Sequence, residues 1–176
     1  MARTSNNTRL RILNAARQFM TESPDETLSM RRIASLCGIS AGTIYNHFPD
    51  KSSLMAAIMI EDWHKALDDM ETECMNARNM REGVAGIYHA LEDFVEIYRS
   101  FWQEYRVPGN FNDMKGKRHK ELISEISGYV RKLLVKFAGE KDLNMDRILA
   151  ENMLNAAVQK EITLEMVLQL VSYIAK

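Results

Sequence analysis

The chain has 176 residues, of which 46% are hydrophobic, and a formal net charge of -1. That is enough apolar side chain for a sizeable core, which excludes a disordered chain. No apolar run approaches the ~20 residues needed to span a bilayer, and the polar, basic start MARTSNNTRLR is unlike a secretory signal, so the expectation is a cytoplasmic globular protein with no membrane partner.

In chain order, Ile12, Leu13, Ala16, Phe19 and Met20 fall on one face of an amphipathic helix over residues 8 to 22. Ser23-Pro24-Asp25-Glu26 breaks it. Ser29 is placed to cap a second helix over 30 to 36, with Ile33 and Leu36 inward. Ser40 is placed to cap a short third helix over 41 to 47, which Phe48-Pro49 ends, since proline disfavours helical backbone in the residue before it. Asp50 then caps a fourth helix reaching about residue 76.

Beyond it the pattern changes to long helices. Val84, Ile87, Tyr88, Leu91, Phe94, Val95, Tyr98, Phe101 and Trp102 make a sustained one-face stripe. Residues 106 to 117, with a proline and two glycines, read as a loop. A helix over 118 to 138 follows, with Leu122, Ile126, Tyr129, Leu133 and Phe137 inward and Gly139 at its end, and two more lie near 145 to 159 and 162 to 175. The fold class is all-α, with a head over 1–50 and a helical body over 51–176.

Charge is divided between the two. Residues 1 to 55 carry seven basic against four acidic side chains, or +3, and the remainder carries 16 against 20, or -4. A basic head on an acidic body points to a polyanionic partner for the head alone.

The second and third helices have the spacing of a helix-turn-helix. Ala34 is small where the helices cross, and Gly38 stands where the turn needs a positive φ. Ile33, Cys37, Ile39 and Ile44 fill the seam, and Phe48 is a core aromatic. The outward face of the third helix is then Ser40, Ala41, Gly42, Thr43, Tyr45, Asn46 and His47, small and hydrogen-bonding residues that suit a DNA major groove.

From Thr8 to Leu54, TRLRILNAARQF and LSMRRIASLCGISAGTIYNHFPDKSSL resemble the DNA-binding head of the TetR-type bacterial transcription regulators. Met20 stands where that family usually has an aromatic, and SPDET replaces a glycine-containing link. The resemblance implies that Thr43, Tyr45, His47 and Lys51 contact DNA bases or backbone, with Thr27 and Ser29 near a phosphate at the start of the second helix. Arg3, Arg9 and Arg11 are expected to follow an adjacent groove from a flexible N-terminal arm.

In the body, Leu164, Val167, Leu168, Val171 and Ile174 make one stripe of the last helix and Met166, Leu170 and Tyr173 a second. A terminal helix apolar on two faces is expected to bury one against a partner, most economically a second copy of the chain. Met153, Leu164, Val167, Leu168 and Val171 are the dimerisation residues so expected. Trp63, Tyr88, Tyr98, Trp102 and Tyr129, with His64 and His89 as orienting polar groups, are expected to line a site for a small apolar or aromatic effector.

Cys37 and Cys74 have no close Cys or His partner, and His64, His89 and His119 lack metal-ligand spacing, so no metal or cofactor is expected. No Gly-x-Ser-x-Gly, phosphate-cradling glycine loop or His-Glu-x-x-His occurs, and no residue is expected to be catalytic. The leading expectation is a homodimeric repressor released from a palindromic operator by its effector. A ligand-independent or protein-regulated DNA-binding dimer is the alternative, and a small all-α enzyme a remote one.

Overall fold

The computed structural model describes residues 2–23, 26–104, 112–139 and 144–174, with side chains described over 6–23, 26–99, 118–139 and 144–173. The described residues form helices α1 (Ala2–Glu22), α2 (Met30–Leu36), α3 (Ala41–His47), α4 (Lys51–Asn76), α5 (Met80–Glu104), α6 (Asn112–Ala138), α7 (Met145–Gln159) and α8 (Leu164–Ile174). The fold is all-α. By packing it divides into two units, Met1–Asp62 and Trp63–Lys176, with the division inside α4.

In the first unit α1 packs on α2 and α2 on α3. Ile12, Leu13 and Ala16 of α1, Ile33 and Ala34 of α2, Ile44 of α3 and Phe48 are buried, as are Leu54, Met55 and Ile58 on the first turns of α4. Two expectations change here. Helix α1 begins at Ala2 rather than residue 8, so residues 2 to 7 are helical. Leu36 is 53% exposed, because α2 buries Met30, Ile33 and Ala34 and its last turn faces outward.

In the second unit α6 packs against α5 and α7, α5 against α7 and α8, and α7 against α8. The expected α5 stripe is buried from Val84 through Tyr98, while Phe101 and Trp102 lie outside the described side chains. Gly83 permits the close approach of α5 to α6: a Cβ there would stand 2.5 Å from Leu133 Cδ2. Helix α6 begins at Asn112, inside the stretch expected to be a loop. Its buried residues among those described are Ile123, Ile126, Val130, Leu133 and Leu134, while Leu122, Tyr129 and Phe137 are half-buried, so the inward face includes the expected Ile126 and Leu133 but is centred differently. Gly139 follows α6 at φ +72, the left-handed backbone that ends helices.

Three cations fasten helix ends in this unit. Lys136 Nζ donates to the carbonyls of Cys74, Met75 and Ala77 at 3.3, 3.1 and 2.9 Å, spending its three donors where α4 ends. Arg99 donates to the carbonyls of Ala157 and Val158 at 3.0 and 3.1 Å, near the end of α7. Arg131 Nε donates to buried Asp146 at 2.9 Å in the first turn of α7.

Candidate nucleic-acid interface

The turn between α2 and α3 is built by backbone hydrogen bonds around one glycine. Ile39 N donates to Ala34 O and Gly38 N to Ser35 O, each at 3.0 Å, with Gly38 at φ +61. This paired pattern closes a helix on a left-handed residue, which glycine adopts without the steric penalty of a Cβ. Two residues later Ser40 Oγ accepts from Thr43 N at 3.1 Å and caps α3. Thr43 Oγ1 lies 2.9 Å from the same oxygen. Ile44 and Phe48 anchor α3 from within, and Phe48 closes it, its N–H donating to Ile44 O.

That anchoring determines what α3 presents. Ser40, Ala41, Gly42, Tyr45 and Asn46 are exposed, and Thr43 and His47 half-exposed. Tyr45 keeps 45% of its surface accessible, a large aromatic standing outward beside an amide and residues too small to hold a partner away. Thr27 and Ser29 are exposed ahead of α2; Ser29 takes the N-cap position, but its side chain makes no capping hydrogen bond. At the start of α4, Asp50 Oδ1 accepts from Ser53 N at 2.7 Å while Ser53 Oγ accepts from Asp50 N at 3.2 Å. This reciprocal cap places half-exposed Lys51 in the first turn. The ten residues expected at a DNA surface are thus all at least partly accessible and all in one unit.

The cations of the head divide in a way that a charge count does not show. Arg11 Nη2 donates to Cys37 O at 2.5 Å, tying α1 to the turn. Arg9 pairs with Glu61 at 3.5 Å and lies 5.3 Å from the centre of the Phe48 ring. Arg17 pairs with Glu61 and Asp62 at 2.8 and 2.7 Å. Partial burial acts to lower the Arg17 pKa, but the hydrogen bonds and charges of Glu61 and Asp62 outweigh it and hold it above its ordinary value. Arg9 and Arg11 therefore belong to the packing of α1 and not to a groove-following arm; the Arg3 side chain lies outside the described residues. Arg31 and Arg32 on α2 are exposed and make no ion pair with a described residue. Sequence reasoning did not single them out, because net charge does not tell committed cations from uncommitted ones. The signal available was their position in the first turn of α2, two and three residues after the N-cap Ser29.

The residues expected at an effector site that have described side chains lie in several different surroundings. Trp63 meets Phe94 edge to face at 5.1 Å, and Phe94 meets fully buried Tyr98 at 5.2 Å, so Trp63 and Tyr98 share one aromatic cluster. Glu125 closes it, accepting from Trp63 Nε1 at 2.7 Å. Tyr88 donates to Glu92 at 3.0 Å; burial, with that hydrogen bond, pushes its hydroxyl pKa up to about 12. His89 lies beside Tyr88 and is exposed. Tyr129 is under the Lys132 ammonium, His64 is exposed, and Trp102 is outside the described side chains. A groove of about 370 Å³ is lined by Glu71, Cys74, Met75, Lys132 and Lys136.

The residues expected at a dimer contact differ in accessibility from the second stripe of α8. Met153, Val167, Leu168 and Val171 are buried in the chain's own core, and Leu164 is half-buried. The second stripe is the accessible one, with Met166, Leu170 and Tyr173 exposed by 50, 40 and 76%. Both stripes are visible in sequence, but which of them meets α5 and α7 is decided by packing.

Residues 12–58 match the tetR family of bacterial regulatory proteins. The HTH-type transcriptional regulator UidR of Escherichia coli strain K12 is 38% identical over 97 residues, covering 55% of this chain and 44% of that regulator. The chain thus spans less than half the length of the curated relatives it matches first. Among solved structures, RolR bound to resorcinol superposes with a TM-score of 0.61 at 19% identity, covering 99% of this chain and 90% of that one. Thermus thermophilus FadR, a TetR family transcriptional repressor in complex with lauroyl-CoA, also gives 0.61, at 16% identity over 94% of this chain and 92% of its own. At these identities the structural likeness establishes the fold, and the sequence match places the head, residues 12–58, in the tetR family of bacterial regulatory proteins.

Proposed function

We propose that the chain is a homodimeric transcriptional regulator that binds a palindromic operator through α3 and acts as a repressor. The observation that carries this reading is the accessible face of α3, where Ala41, Gly42, Tyr45 and Asn46 are held outward by a buried Ile44 and a capped first turn. Small residues let the helix backbone approach base edges, and Tyr45 and Asn46 supply apolar and hydrogen-bonding contacts there. Thr27, Ser29, Thr43, His47 and Lys51, with Arg31 and Arg32, would hold the phosphate backbone and set the register. The exposed stripe Met166, Leu170 and Tyr173 supports self-association, which would present two α3 helices to successive major grooves.

Release by a small apolar or aromatic effector is part of the proposal, supported by the ligands of RolR and FadR and by the aromatic cluster Trp63, Phe94 and Tyr98. Selection of bound sequences from random DNA tests the whole reading. The expected result is an inverted repeat with half-site centres about one helical turn, ~34–36 Å, or a multiple apart. Enrichment of no palindrome would overturn it.

A further inference from the structure

Glu61 and Asp62 are consecutive on α4, and both are held by α1. Arg17 uses Nε toward Asp62 at 2.7 Å, Nη2 toward Glu61 at 2.8 Å and Nη1 toward Asn14 at 3.3 Å. The other oxygen of Glu61 meets Arg9 at 3.5 Å, and Arg9 in turn lies over the ring of Phe48, which closes α3. All of these groups are in the first unit. We propose that Arg9, Arg17, Glu61 and Asp62 form an orientation clamp, positioning residues that hold the third turn of α4 and the end of α3 at one fixed angle.

The geometry is selective in a way that apolar packing is not. Successive residues on a helix point about 100° apart, as 3.6 residues complete a turn, so one planar guanidinium can hold Glu61 and Asp62 together only at one rotation of α4 about its own axis. The buried contacts of Leu54, Met55 and Ile58 are non-directional and tolerate small rotations. Surface ion pairs add little stability, typically ~0–1 kcal/mol each. A rigid guanidinium fork spanning two carboxylates instead specifies direction. In a dimer reading two half-sites, an error in that direction is an error in half-site spacing, so the clamp would make the protein demand one operator spacing.

This inference rests on the proposed operator-binding function, and its test separates the two. The full chain is titrated with the selected inverted repeat and with versions one base pair longer and shorter between half-sites, each of which turns one half-site by about 35°. Wild-type protein should discriminate against the altered spacings by about tenfold or more. Arg17→Gln and the pair Glu61→Gln with Asp62→Asn change charge in opposite senses, yet both should reduce that discrimination to about threefold or less while thermal melts show folded protein. Arg17→Lys keeps the charge but loses the fork, and should lose discrimination likewise. Arg31→Gln, outside the clamp, should weaken binding at every spacing and keep the discrimination.

Spacing discrimination retained in all three clamp variants, with affinities merely shifted down for Arg17→Gln and up for the carboxylate pair, would overturn the clamp and leave the operator reading standing. Wild-type protein that bound no inverted repeat would overturn both.

Discussion

Helix ends in Met1–Asp62 are made mainly by neighbours in sequence, with Arg11 adding a bond to Cys37 O, whereas several in Trp63–Lys176 are made from across the fold. In the head, Gly38 ends α2 and Ser40 and Asp50 cap α3 and α4, each within a few residues of the helix it serves. In the body, Lys136 reaches back about 60 residues to finish α4, and Arg99 reaches forward a similar distance to the carbonyls near the end of α7. The body has local signals as well, since Gly139 follows α6 and Asn79 Oδ1 accepts from Glu82 N at 2.8 Å where α5 starts. The difference teaches where specificity resides. A helix of seven residues such as α3 is too short to be stable alone and is held by its turns and anchors; the long body helices persist by packing, which can be rearranged without altering a turn.

The largest expected effect contrasts the two stripes of α8. Val167→Glu places a charge at a fully buried position and should cost ~3 kcal/mol or more, unfolding the body in a thermal melt. Leu170→Glu, on the exposed stripe, should leave the melt of the monomer within ~0.5 kcal/mol of wild type but shift sedimentation toward monomer. Equal damage from both would mean that the exposed stripe belongs to the fold of one chain.

Next, Tyr45→Ala should remove ~1–3 kcal/mol of operator discrimination, read as specific against non-specific binding, with the melting temperature unchanged because the side chain is largely outside the core. Lys136→Met should destabilise the body by ~1–2 kcal/mol, leaving three carbonyls near the end of α4 without their cation while keeping its aliphatic stem. DNA affinity per folded molecule should not change.

The smallest pair sets one turn against the other. Gly38→Ala should cost ~1–2 kcal/mol, since its φ of +61 is strained for any residue with a Cβ. Lys160, at the end of α7, already occupies such a conformation at φ +56, and Lys160→Gly should stabilise by ~1 kcal/mol despite losing a 3.6 Å exposed pair with Glu96. Denaturant titrations of the two variants should move in opposite directions.

The sequence by itself determined the helical class, the boundaries of α2, α3, α7 and the start of α4, the glycine turn and the outward face of α3. These follow from contacts between residues a few positions apart, where spacing and backbone preference suffice. It did not settle which apolar stripe of α8 is covered, since Leu168 and Leu170 are chemically alike and only the placement of α5 and α7 distinguishes them. Nor did it show that Arg9, Arg11 and Arg17 serve the packing of α1 while Arg31 and Arg32 remain exposed, because the charge of a side chain is local but its partner is not. Nor did it show the different surroundings of Tyr88, Tyr129 and the Trp63–Tyr98 cluster: aromatic character is legible residue by residue, whereas convergence on one cavity depends on the rotation of each helix, and only the tertiary packing sets that.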